Sequence, residues 1–228
     1  MEPVTPSEGW GALHLFYRVD RERAEREPGG AKRVLDAVAS LEADEHQVLC
    51  FAVLGHKADF GVMALGPDLA RLQAFEQELA AAPLAPSWSY VSLTERSEYT
   101  SDEERARQRL YPRLPLKNAI CFYPMSKRRS VAGNWYMLPY EERRDLMEGH
   151  GRKGREFAGR VVQLVTGSTG LDDWEWGVTL FAADPADLKA CVYEMRFDPA
   201  SAVYAEFGEF ITGLVAPVEE LLAEVGRS

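Results

Sequence analysis

One short pattern occurs twice in this chain, and it limits the fold more than any other feature. Leu15-Phe16-Tyr17 begins a strand-like run, and Cys121-Phe122-Tyr123 repeats it. Asp59-Phe60-Gly61-Val62 is echoed by Glu175-Trp176-Gly177-Val178. Each Gly-Val pair leads into an apolar run, an Asp-containing break and an amphipathic helix. The first of these helices follows Gly66-Pro67-Asp68 and the second Ala183-Asp184-Pro185, where Asp184 suits an N-cap and Pro185 a first helical position. Each half reads strand, helix, strand, strand, helix, strand. Strands are expected near 12–18, 46–54, 59–66 and 88–95, then near 118–124, 159–167, 174–183 and 202–210. Helices are expected near 31–43, 68–82, 139–156 and 185–195, with a tail helix over 216–225. That order is ferredoxin-like. Two copies in one chain predict an α+β protein whose two sheets face each other as a barrel with helices outside. The expected division is a first repeat over 1–95, a polar, proline-containing connector over 96–117 with a short solvated helix in its charged middle, and a second repeat over 118–228.

The chain has 228 residues, 46% of them apolar, so it has ample material for a core. Its net charge of −10 and the lack of a long basic stripe argue against nucleic-acid binding. Cys50, Cys121 and Cys191 are far apart, odd in number and set in apolar runs, and no CxxC occurs. They read as buried reduced thiols, and a zinc ribbon is excluded. The first residues, MEPVTPSEGWG, lack a signal-peptide core, and no apolar run approaches the roughly 20 residues of a membrane helix. A reducing cytoplasm is the expected location.

Most of the chemistry is concentrated between Phe122 and Arg155, in FYPMSKRRSVAGNWYMLPYEERRDLMEGHGRKGR. Tyr123, Met125 and Lys127 alternate, so an extended segment presents all three on one face. Lys127-Arg128-Arg129 forms a cationic cluster suited to carboxylates, with a solvated loop as the alternative; Arg109 could join it in space. Trp135-Tyr136 reads, on its own, as a pair of core aromatics. His150 ends a helix among Gly149, Gly151 and Gly154. Each glycine costs that helix about 1 kcal/mol relative to alanine, which suggests that a flat ligand needs the space. The alternative is a surface histidine at a fraying helix end. A metal-binding His150 would be neutral, with its second nitrogen on an acceptor, and Glu194 is a candidate for that acceptor. His14, His46 and His56 have no such surroundings. Gln163 lies on the apolar strand VVQLV, where a buried amide must face a polar cavity or network. Ser201 reads as a turn residue at the start of the last strand.

With these residues in view, the chain resembles the coproheme decarboxylases of the chlorite dismutase-like superfamily. The motifs that carry the resemblance are YPMSKRR, NWYMLP, ER..LM..HG..GR, VTGSTGLDDWEWGVTLFA and VYEMRFD..SA.Y.EFG. The resemblance implies two ferredoxin-like repeats per subunit in a homopentamer. It implies peroxide-dependent conversion of two propionates of iron coproporphyrin III to vinyl groups, giving heme b, with coproheme delivered by ferrochelatase. In that pattern His150 is the iron ligand, Tyr123 forms the reactive radical, and Lys127 assists proton transfer beside the reacting propionate. Trp135 lines the same wall, Met125 lines the porphyrin, and Arg109 and Ser201 contact propionates. Tyr90 is a further expected propionate contact. Chlorite-decomposing relatives carry an arginine above the iron where this chain has Gln163, which argues against chlorite turnover. The other readings are a heme-binding chlorite dismutase or peroxidase, and a heme carrier or sensor without catalysis.

Overall fold

The computed structural model describes residues 2–27, 29–100 and 102–225. The first half runs β1 (Gly11–Val19), α1 (Arg21–Arg26), α2 (Gly30–Ala43), β2 (Gln47–Val53), β3 (Phe60–Gly66), α3 (Leu69–Ala80) and β4 (Leu84–Thr94). The connecting segment carries α4 (Glu103–Leu110). The second half runs β5 (Ala119–Lys127), a small hairpin of β6 (Arg129–Ser130) and β7 (Gly133–Asn134), α5 (Tyr140–Arg155), β8 (Val161–Gly167), β9 (Trp176–Ala182), α6 (Pro185–Met195), α7 (Pro199–Ala202), β10 (Ala205–Phe207), β11 (Ile211–Val215) and α8 (Val218–Val225). A 3-10 turn over Trp135–Met137 precedes α5.

Both halves build the same antiparallel sheet. The first has the order β2-β3-β1-β4, and the second pairs β11 with β5, β5 with β9 and β9 with β8. Two seams, β11 on β2 and β4 on β8, close them into one barrel. This is the α+β barrel of two ferredoxin-like repeats expected above. Helix starts follow local chemistry. The Asp68 carboxylate accepts the Ala70 N–H at 2.9 Å and starts α3, and Asp184 accepts the Ala186 N–H at 2.8 Å and starts α6.

The repeated Gly-Val pair has a steric cause. A Cβ on Gly61 would meet the Phe51 ring at 2.2 Å, and one on Gly177 would meet Tyr90 at 2.8 Å and Phe122 at 3.1 Å. In each repeat the third strand must lack a side chain so that an aromatic ring can cross it inside the barrel. That interior is filled by Phe16, Phe51, Met63, Tyr90, Ile120, Phe122 and Phe181. His14 lies there too, stacked on Phe122 at 4.0 Å with Nε2 3.0 Å from Thr179 Oγ1. Burial pulls its pKa down to about 3, so it stays neutral.

α1 and the β6–β7 hairpin are not among the expected elements, and one expected strand differs. The strand expected over 202–210 is divided: α7 comes first, then β10, a bend at 208–210, and β11. Ser201 therefore sits on a helix and not at a strand start. The Gly208 N–H donates to Pro124 O at 2.9 Å, which folds the chain against β5 and lets β10 and β11 pair with opposite ends of that strand.

Candidate active site

Alternation along β5 sends Ile120 and Phe122 into the barrel and turns Tyr123, Met125 and Lys127 toward the helices. On that outer side the sheet faces α5, whose sequence YEERRDLMEGHGRKGR has little to fill the space; none of its residues is buried. Between the two lies a cavity of about 1670 Å³. Eight of the nine expected site residues line it: Arg109, Tyr123, Met125, Lys127, Trp135, His150, Gln163 and Ser201.

His150 sits on the helix side. Its Nδ1–H donates to Asp198 Oδ2 at 2.8 Å, and Ser201 Oγ lies 3.5 Å from the same nitrogen. Nε2 is thereby left available to the cavity. Burial lowers the His150 pKa, and the Asp198 hydrogen bond and charge oppose that shift. The ring is neutral near pH 7, with its tautomer set by the carboxylate. The acceptor is thus Asp198 and not Glu194, which pairs instead with Lys153 at 3.4 Å. Sequence reasoning missed Asp198 because it lies 48 positions from His150 and no local pattern links the two. Here Asp198 makes no side-chain cap bond, and its buried carboxylate is committed to His150.

Tyr123 is buried in the sheet wall between Phe210, stacked at 4.4 Å, and Phe207, edge-on at 5.7 Å. Burial drives its phenol pKa well above the ordinary range, so the O–H stays protonated. Lys127 is buried as well. Its Nζ donates to Ala200 O at 2.8 Å and lies 4.2 Å from the centre of the Trp135 ring. Burial lowers its pKa to about 8, against the pull of Asp198 and Glu175. Such a lysine can both hold a carboxylate and release a proton. Below it the buried Glu175 accepts the Lys127 backbone N–H at 2.8 Å and the Arg129 guanidinium, fixing the strand end and the hairpin.

The rest of the cationic cluster divides. Arg129 lines the cavity, whereas Arg128 turns toward Glu206 at 3.5 Å. Arg109 arrives from α4, and Arg152 and Arg155 from the last turns of α5. Gln163 is exposed on the cavity face of β8 and not buried in a network. Tyr90 is a correction: it is fully buried inside the barrel, its hydroxyl bonded to Ser168, and it does not line the cavity. Tyr99, from the connecting segment, does line it, its ring stacked on Tyr140 at 6.0 Å. Trp176 also reaches the cavity, with Nε1 donating to Glu95 at 2.9 Å. Of the three α5 glycines, Gly151 and Gly154 line the cavity and Gly149 does not. A Cβ on Gly154 would meet nothing within 4 Å, and one on Gly151 only the tip of Arg155 at 3.4 Å.

The chlorite dismutase family model matches residues 29–216. The chain belongs to the chlorite dismutase family. Within and around this family, a coproheme decarboxylase of Staphylococcus carnosus is 44% identical over 94% of this chain and 94% of its own length. A protein of Natronomonas pharaonis described as heme-binding is 43% identical over 93% of this chain, which spans 40% of that longer protein. Among solved structures, a heme-binding protein from Thermus thermophilus superposes with a TM-score of 0.89 at 40% identity, covering 98% of both chains. A variant chlorite dismutase of Candidatus Nitrospira defluvii shares the fold, with a TM-score of 0.82 at 18% identity over 97% of this chain and 98% of its own.

Proposed function

We propose that this protein is a coproheme decarboxylase. It converts two of the four propionates of iron coproporphyrin III to vinyl groups and releases heme b. Hydrogen peroxide is the proposed oxidant. For each group a propionic acid and one peroxide give a vinyl, carbon dioxide and two waters, which balances atoms and electrons. The observation that carries this reading is a single cavity with a neutral imidazole on its helix wall and a buried phenol on its sheet wall. A carrier needs the first but has no use for a protonated tyrosine on the same wall as a low-pKa lysine.

The residues fit the macrocycle. The open backbone at Gly151 and Gly154 would take a flat ring, His150 Nε2 would ligate its iron, and Arg109, Arg152, Arg155 and Ser201, which line the same cavity, would hold its carboxylates. The bound iron, with peroxide, supplies the oxidising equivalents. Tyr123 would relay one of the two: its phenoxyl oxygen takes a hydrogen atom from the propionate β-carbon, so a C–H bond breaks and an O–H bond forms, and loss of a second electron to the oxidised pigment with cleavage of the bond to the carboxylate releases carbon dioxide and leaves the vinyl. Lys127 holds the reacting carboxylate and exchanges its proton, and Trp135 and Met125 shape the wall. The one reactive tyrosine requires the three-propionate intermediate to turn before the second step.

A homopentamer is proposed with this activity. The half-exposed Val91 on β4 and Val162 on β8 support assembly, and light scattering measures it. Delivery of coproheme by ferrochelatase belongs to the same reading. The three buried free thiols support a reducing compartment. The deciding experiment is mass analysis of the pigment from wild type and Tyr123→Phe. The variant is expected to bind coproheme yet form no heme with peroxide. Normal turnover by the variant would remove Tyr123 from the mechanism.

A further inference from the structure

The segment that carries Phe207 and Phe210 is fixed more firmly than a cavity wall requires. Phe210 lies nearly parallel to Tyr123, with 24° between the planes, and Phe207 meets the same ring at 67°. Gly208 between them is pressed so tightly that a Cβ would meet Pro124 at 2.6 Å and Trp174 at 3.0 Å. Next to it, Lys57 Nζ donates to Phe210 O at 2.7 Å and lies 3.2 Å from the Glu209 carboxylate. Lys57 belongs to the β2–β3 turn of the other repeat, and the Leu54 N–H of the same turn donates to Thr212 O at 2.8 Å. One repeat thus reaches across to hold the wall of the other.

Hydrogen-atom transfer needs the phenol oxygen about 3–3.5 Å from the carbon it attacks, in one alignment. The direction of the Cβ–Cγ bond sets where that oxygen lies. The plane of the ring sets the direction of its half-filled orbital. A parallel neighbour at 4.4 Å and an edge-on neighbour at 5.7 Å restrain both. Each such aromatic pair contributes about 0.5–1.5 kcal/mol beyond the area it buries.

We propose that Phe210, anchored by Lys57 from the first repeat, is a positioning residue that holds the Tyr123 ring in one orientation toward the reacting propionate, with Phe207 closing its edge. This inference rests on the decarboxylase reading and deepens it. Phe210 touches neither iron nor carboxylate in this role and acts only through Tyr123.

The test uses the full-length protein with 3-fluorotyrosine in place of tyrosine, the Tyr123 fluorine signal being identified by its loss in Tyr123→Phe. In ligand-free wild type, a held ring gives signals of non-exchanging ring orientations. Phe210→Leu is expected to merge or broaden them, while heme formation with peroxide slows about ten- to a hundredfold. Coproheme affinity is expected to stay within about twofold, since no carboxylate contact is removed. Phe210→Trp restores the static signals and most of the rate. Lys57→Met, remote from the cavity, shows the same change more weakly and serves if Phe210→Leu does not fold. Unchanged fluorine signals and rate in Phe210→Leu and Lys57→Met would overturn the proposal. A rate loss in Phe210→Leu without a change in ring motion would overturn it too. Failure of the underlying reading looks different: wild type would show a held ring and yet form no heme.

Discussion

The two repeats share one architecture but use the space between sheet and helices in opposite ways. In the first, α2 and α3 close on the sheet with Val34, Val38, Leu41, Leu72, Phe75 and Leu79 against Leu13, Leu15 and Val62, leaving a solid core. In the second, α5 offers glycines, arginines and a histidine, buries no residue, and leaves the cavity of about 1670 Å³. α6 seals only one end, with Leu188 against Ala119, Val178 and Leu180. The difference shows where function was placed. One repeat packs a solid layer and is joined to its twin through the two barrel seams, and the twin keeps a hollow layer.

Substitutions should separate the two layers. The largest expected effect is Phe75→Ala in the filled layer, a loss of about 3–5 kcal/mol on chemical denaturation, because the ring is fully buried. In the hollow layer Met147→Ala should change stability by only about 0.5 kcal/mol. Equal losses at the two sites would end the comparison. Next in size is Asp198→Asn, which removes the anionic partner of His150 and should weaken coproheme binding about 10- to 100-fold, measured by titration of the absorbance. Third is Gly154→Ala. Its Cβ enters open space, so the helix should gain about 1 kcal/mol while coproheme binds less well. A stability gain with unchanged binding would place the ring elsewhere in the cavity.

The smallest effect is a proton count. With its pKa lowered to about 8 by burial, free Lys127 is increasingly neutral above that pH. A bound propionate brings a negative charge beside it and raises the pKa again. Coproheme binding should therefore take up protons above pH 8, approaching one per site, and Lys127→Met should abolish the uptake. Calorimetry in buffers of different ionisation enthalpy measures it. The same shift makes the ligand-free protein gain stability as pH rises from about 8 to the ordinary lysine range, because the unfolded chain keeps that proton longer.

Much of this organisation was legible in the sequence. The doubled Gly-Val motif marks the strand that an aromatic ring must cross, and the Asp caps mark α3 and α6. Alternation along β5 places Tyr123, Met125 and Lys127 on the cavity side. What escaped depends on distance in space. The carboxylate of Asp198 is 48 positions from His150, and no local pattern links the two. Tyr90 alternates with Trp88 and Ser92 on β4, a pattern that does not tell the inside of a barrel from the outside. Residues 202–210 alternate like a strand, and only the packing of Gly208 under Trp174 reveals the bend that carries Phe207 and Phe210 to Tyr123.

The most direct test is the mass of the bound pigment before and after titration of the coproheme complex with hydrogen peroxide. Wild type is predicted to lose two units of formic acid in turn, through a three-propionate intermediate, and to end as heme b. A pigment that bleaches, or that keeps all four propionates while peroxide is consumed, would contradict the account.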